Sequence, residues 1–272
     1  MLDHISHQRL QALVSVLVLF LVAIAGWQLL HCSSAIPSEL YPYLYSLPPE
    51  MVVKAQTEGR ELGQGGWAAV LAIRSTLPES EVGLIMQLRK GRSFQDLDWG
   101  GIRPEQVKLA QDRCSLLLKY PYFEPNRFTF PVRGKYWYED SFGADREGGK
   151  RKHEGTDLFG AEGTPLISVS AGKVEQLGWN RLGGERVGVR GDDGNYYYYA
   201  HLQMISPQLK KGRRVEKGEA IGTMGHSGDA LTTPDHLHFG IELHNGTWVN
   251  PYPLLKVWER QAANAKDVAN RV

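Results

Sequence analysis

The segment Pro234–Leu243, PDHLHFGIEL, constrains this chain more than any other. Leu237, Phe239 and Ile241 fall on one side of an alternating run, and His236, His238 and Glu242 fall on the other. That alternation is the period of a half-buried strand, in which residues i and i+2 share a face about 6.6 Å apart. Such a strand needs a sheet around it and a core beneath it. It also delivers two imidazoles side by side. They are either solvated surface groups or half of a metal site, and the rest of the chain must decide.

Upstream, RKHEGTDLFG offers His153 and Asp157, and NYYYYAHLQ offers His201. Imidazole and carboxylate are donors that Zn²⁺ accepts, and a catalytic zinc keeps three protein ligands with one position open for water. Four residues along a straight strand span about 13 Å, too far for His153 and Asp157 to share an ion. The segment must bend, and Gly155 permits a bulge or turn there. A helical i, i+4 pair would also converge, but the glycine and threonine that follow argue against a helix.

HEGTD, YYYYAHL and HLHFGIEL, in this order and separation, resemble the LytM/lysostaphin-type zinc metallopeptidases of the M23 family. The resemblance covers roughly residues 128–255. It implies a mainly antiparallel β domain of the duplicated-hybrid-motif type, with Zn²⁺ held by His153, Asp157 and His238. His201 and His236 would then flank the metal-bound water and the scissile carbonyl. Which histidine of the HxH pair is a ligand comes from the resemblance, since spacing alone leaves it open. The chain lacks HExxH, so no neighbouring glutamate is offered as a base, and His201 and His236 remain as the acid–base groups. The implied substrate is a peptide of bacterial peptidoglycan, in the stem or the cross-bridge. The alternative is an envelope scaffold with the same fold and no catalysis; relatives of that kind lack motif residues, whereas all five are present here.

The net charge is +1, with 31 Lys and Arg against 30 Asp and Glu, which lends no support to a nucleic-acid footprint. Two cysteines, Cys32 and Cys114, rule out zinc-finger spacing. Residues 10–30 carry no charge and reach the roughly 20 residues that cross a bilayer. They read as an anchor that places the remainder outside the cytoplasm, after a short cytoplasmic segment, residues 1–9. The alternative is a secretory signal cleaved near Ser33-Ser34-Ala35. Residues 31–48, rich in Pro, Tyr and Ser, read as an extended tether.

Residues 49–120 read as a small helical region. Pro49, Pro78 and Pro104 stand at helix starts, and Val107, Ala110, Cys114 and Leu117 recur at helical spacing. Its functional readings are a spacer, a lid, or a module that docks an envelope protein partner. Cys114 reads as buried filler on that stripe.

From Phe128 onward short strands are punctuated by glycine turns, and the overall expectation is α+β. If His201 faces the metal, parity puts Tyr199 and Tyr197 on its face, lining a substrate groove. Trp179 and Asn180 resemble the family's cleft loop, and residues 134–152 read as a mobile, charged wall. Residues 256–272 read as a tail, helical or frayed.

Overall fold

The structure, a computed structural model, describes residues 40–269, with side chains to residue 263. The apolar run at residues 10–30, Cys32 and the first part of the tether lie outside the described residues. Among the described residues no helix is long and apolar enough to cross a membrane.

Five helices precede the sheet: α1 (Leu40–Ser46), α2 (Pro49–Gly59), α3 (Gly66–Thr76), α4 (Glu81–Arg89) and α5 (Pro104–Lys119). Pro49 and Pro104 open their helices at positions where the missing N–H costs nothing, each with a glutamate in the first turn. Every residue of α3 from Gly66 to Ile73 is buried, as expected of a helix apolar on all sides. Cys114 is a buried, free thiol on α5, and burial pushes its pKa up to about 11, consistent with filler.

The tether expectation fails from residue 40. Leu40, Tyr43 and Leu44 on α1 are buried, and the Tyr41 hydroxyl donates to the Asn250 carbonyl at 2.5 Å. Tyrosines here form a docking face, so a composition suited to an extended linker packs as a helix.

The sheet runs in the order β1 (Tyr136–Tyr138), β4 (Thr156–Gly160), β11 (His236–Glu242), β8 (Tyr196–Ile205), β7 (Gly184–Gly191), β6 (Gly172–Asn180) and β9 (Arg214–Val215). β10 (Ala220–Met224) joins β8 to β5 (Pro165–Ile167), and β12 (Trp248–Val249) pairs with β11. All pairings are antiparallel, some between consecutive strands, as β6 with β7 and β7 with β8, and others between strands far apart in the chain, as β4 with β11. A separate hairpin joins β2 (Asp145–Arg146) and β3 (Arg151–Lys152).

Residues 134–152 are therefore a structured wall. Trp137 on β1 stacks on Phe159 of β4 with centroids 4.3 Å apart, and Tyr136 and Tyr138 pack on Phe130. Phe128–Val132 runs extended beside residues 165–169, where the Thr129 amide bonds the Val169 carbonyl at 3.0 Å and the Ile167 amide bonds the Pro131 carbonyl at 2.9 Å. Pro131 has no N–H with which to continue a ladder.

A final helix, α6 (Tyr252–Ala269), takes the helical of the two readings of the tail and begins before residue 256. Leu254, Leu255, Val257 and Trp258 are buried, and Trp258 stacks on Phe128 at 5.0 Å. One apolar cluster runs from α1 through the underside of the sheet to this helix. Burying a side chain of this size removes enough apolar area to contribute about 2–3 kcal/mol, which is why the tail docks.

Candidate metal centre and cleft

The site is built on register. Between β11 and β4, His238 lies opposite Asp157 and His236 opposite Phe159; between β11 and β8, His238 lies opposite Ala200. Leu237, Phe239 and Ile241 point into the core and are buried. The opposite face thus holds Asp157 and both histidines of the HxH pair in neighbouring positions.

His153 arrives from the hairpin side. The chain leaves β3 at Lys152, bends at Gly155 and enters β4 at Thr156. That bend closes the distance a straight strand would leave open. Gly155 is needed for room, since a Cβ there would stand 2.6 Å from the His238 ring and 2.6 Å from the Phe239 carbonyl. Its φ is not in the left-handed region. Gly240 is similarly confined, because a Cβ would meet the Trp248 ring at 2.6 Å.

Three donor atoms converge. His153 Nε2 lies 3.0 Å from Asp157 Oδ1 and 2.9 Å from His238 Nδ1, and His238 Nδ1 lies 3.1 Å from Asp157 Oδ1. Around a tetrahedral ion with bonds of about 2.0–2.1 Å, donors sit roughly 3.3 Å apart, so the triangle is close to the required size. The proton count points the same way. His153 Nδ1 donates to the Ser141 carbonyl at 2.7 Å, which leaves its Nε2 as a lone pair. At most one proton, on His238 Nδ1, then serves three short contacts. A cation satisfies all three donors, and this donor set fits a divalent metal. Burial opposes ionisation of Asp157, yet the close approach of His153 and His238 outweighs it and holds the carboxyl well below the usual range. Its second oxygen, Oδ2, accepts from Arg146 Nη2 at 2.5 Å.

His201 and His236 stand beside this triangle, their rings 4.9 Å apart. His201 Nδ1 donates to the Ser227 carbonyl at 2.8 Å, and His236 Nδ1 to the Pro234 carbonyl at 2.8 Å. Both rings are left with Nε2 as a free acceptor. His236 Nε2 is 4.0 Å from Asp157 Oδ1. Burial, then the charges of His236 and His238, push His201 down to about 4, so it is neutral at physiological pH.

The tyrosine assignment is corrected. Tyr197 and Tyr199 point into the core at 1% and 0% exposure, and neither lines the cleft. Tyr197 donates to Asp193 Oδ2 at 2.5 Å, and the Tyr199 hydroxyl accepts from the Val169 amide at 2.9 Å. Simple parity fails because β8 carries a bulge. Glu185 pairs with Leu202 and Val187 with Tyr199, so two steps on β7 oppose three on β8. The extra residue lets Ala200 and His201 both face the metal side while Tyr199 and Leu202 both face the core. His201 takes φ 62° to do so, a backbone strain of about 1–3 kcal/mol, and its amide bonds the Gly183 carbonyl at 2.7 Å.

Tyr198 occupies the cleft position instead. Its ring lies 5.9 Å from His238 and 6.0 Å from Trp248. Register on the HxH strand would have found it, since Gly240 pairs with Tyr198. Trp179 is 62% exposed at the end of β6, and Asn180 Oδ1 accepts from the Gly183 amide, holding the turn that leads to the His201 carbonyl partner. Trp137, 58% exposed, extends the histidine row, because the Phe159 ring beneath it sits 5.2 Å from His236. Arg146 and Trp137 lie within the wall expected at residues 134–152 but were not singled out, and Phe159 and Tyr198 were missed; strand pairing brings all four to the histidines.

Comparison with known proteins agrees with this geometry. The model of Peptidase family M23 matches residues 151–251. An L-Ala–D-Glu endopeptidase of Bacillus subtilis is 39% identical over 174 residues, which is 60% of this chain and 53% of that relative. Lysostaphin of Staphylococcus simulans is 36% identical over 109 residues, 38% of this chain and 21% of that protein. The chain thus spans about half the length of the first relative and less of the second. A solved Ruminococcus gnavus structure, described as a candidate glycyl-glycine endopeptidase LytM, superposes with TM-score 0.50 at 29% identity. That alignment covers 76% of this chain and 88% of that one. Residues 151–251, bearing the triangle and both flanking imidazoles, are a peptidase family M23 domain homologous to the LytM and lysostaphin peptidases.

Proposed function

We propose that this protein is a zinc-dependent endopeptidase that hydrolyses peptide bonds of bacterial peptidoglycan. The observation that carries the reading is the convergence of His153 Nε2, Asp157 Oδ1 and His238 Nδ1 beside two imidazoles that expose Nε2. Zinc suits two imidazoles and one carboxylate, and when bound it acts as a Lewis acid that polarises a carbonyl and activates water.

The protein's own groups supply the remainder. His201, held neutral with its Nδ1 proton committed to Ser227, offers Nε2 as the acceptor for the proton of the attacking water. His236, whose Nε2 also faces the triangle, becomes a donor there only when its ring takes up a second proton, and in that form it supports developing negative charge or passes the proton to the departing amine. Tyr198, Trp179 and Trp137 border the cleft and position the substrate chain. Asn180 holds the turn beneath Trp179.

The name of the Bacillus subtilis relative motivates the substrate, since it is named as an endopeptidase for an L-Ala–D-Glu bond. We further propose that residues 10–30 anchor the chain, with the catalytic domain outside the cytoplasm, on the strength of their uncharged apolar run. Purified sacculi treated with the protein should release peptide fragments, with mass analysis giving the bond cut. Release should stop with a chelator and return with Zn²⁺. Zinc-replete protein that leaves sacculi intact would instead support a non-catalytic envelope role.

A further inference from the structure

We infer that Arg146 is a positioning residue for the metal, its guanidinium holding Asp157 so that a single carboxylate oxygen faces the ion. The inference rests on the metal-site reading above. Asp157 Oδ1 lies among His153 Nε2, His238 Nδ1 and His236 Nε2, at 3.0, 3.1 and 4.0 Å. Oδ2 points away from that group and meets Arg146 Nη2 at 2.5 Å. A carboxylate without such a partner is free to rotate and offer both oxygens to one cation. The guanidinium removes that choice.

Arg146 is placed by the same ladder that places His153. Arg146 pairs with Arg151 and Asp145 with Lys152 across the β2–β3 hairpin. The ladder continues past the strand ends: the Gly143 amide bonds the His153 carbonyl at 2.8 Å, and the His153 amide bonds the Ala144 carbonyl at 2.9 Å. A metal ligand and the arginine that orients a second ligand therefore move together. Arg151, on the opposite strand, bonds Glu147 at 3.4 Å and reaches Asp229 at 3.5 Å, two residues after the Ser227 whose carbonyl holds His201. One short hairpin thus ties the metal triangle to the wall that fixes His201.

The contact is more than a surface ion pair. The Asp157 side chain is only 8% exposed, whereas Arg146 keeps its outer part in solvent at 37%. A buried carboxylate that loses its partner is left uncompensated, which is costly, while exposed pairs contribute little. Arginine suits the task because it stays charged and presents planar N–H donors; lysine offers a charge without the fork.

The test measures metal binding. Arg146→Ala should bind Zn²⁺ about 10–100-fold more weakly in chelator competition, the usual effect of losing a partner that orients a ligand. Arg146→Lys should recover part of that loss. Substituted with Co²⁺, wild-type protein should show the strong visible bands of a four-coordinate site. In Arg146→Ala these should weaken as Asp157 takes up two-oxygen coordination, a change that mere loosening of the hairpin does not produce. Unchanged Zn²⁺ affinity and Co²⁺ spectrum in Arg146→Ala overturn the inference; if that variant does not fold, wild-type behaviour in Arg146→Lys overturns it. Wild-type protein that binds no Zn²⁺ sinks this inference and the proposed function together. Wild-type protein that binds Zn²⁺ but releases nothing from sacculi sinks only the hydrolase reading.

Discussion

Strands β4, β11 and β8 have two faces that differ by a single residue step. The core face carries Leu158, Leu237, Phe239, Tyr197 and Tyr199, all almost fully buried. The other carries Asp157, His236, His238, Tyr198 and, by way of the bulge, His201. On the core face the purely apolar side chains tolerate others of similar volume, because dispersion and burial have no direction, and only the two tyrosine hydroxyls need particular partners. On the metal face, geometry is set to within a few tenths of an ångström, and the tyrosine rings mark the boundary. The same four-tyrosine run supplies Tyr197 and Tyr199 to the core and Tyr198 to the cleft. The comparison teaches that function here lies on whichever face the register leaves free, with one strained residue added to it.

Substitutions on the two faces should part company, activity moving on one and stability on the other. The largest effect is expected for His238→Ala or His153→Ala. Zinc content should fall to background by elemental analysis and sacculus digestion should cease, with far-ultraviolet circular dichroism unchanged. An active, zinc-replete His238→Ala protein would contradict the ligand assignment. Excess Zn²⁺ should also raise the melting temperature of the wild type, by about 2.7 kcal/mol of stabilisation at 100 times Kd, and leave His238→Ala unmoved.

Next comes His201→Ala, which should keep most of its zinc and lose about 10²–10⁴-fold in kcat. A loss confined to KM would show that His201 only binds substrate. On the core face, Phe239→Ala should cost about 3–5 kcal/mol in urea unfolding. In the fraction still folded, zinc binding should persist. Smallest is the tyrosine pair. Tyr197→Phe removes a buried hydroxyl that donates to Asp193 and should lower stability by about 1 kcal/mol at unchanged turnover. Tyr198→Phe should stay within about 0.5 kcal/mol of wild-type stability and show its effect in kcat/KM. If the two variants behave alike in both assays, the division between faces is wrong.

Legibility followed the range of the interaction. The HxH strand, the bend required at Gly155 and the helix starts at Pro49 and Pro104 are local properties, set by alternation, sterics and a missing N–H. They could be read from residues within a few positions of one another. The reading failed where a non-local contact decides. Residues 40–46 fold as a helix because Leu40, Tyr43 and Leu44 find a core to enter. The tail, left open between helix and frayed end, becomes α6 because Trp258 finds Phe128. Tyr197 and Tyr199 were placed in the cleft because the parity rule assumes a regular strand, and the β8 bulge exists only against its β7 partner.

The amino-acid sequence by itself determined the chemistry available to this protein: four imidazoles and a carboxylate in three short motifs, two of the imidazoles bound to one strand face by backbone geometry. The tertiary structure alone decided which nitrogen of each ring is free, which oxygen of Asp157 meets the histidines, and that an arginine from a charged hairpin claims the other. Those outcomes depend on strands far apart in the chain being hydrogen-bonded in one register. A shift of one residue in that register would turn every one of these groups toward the opposite face.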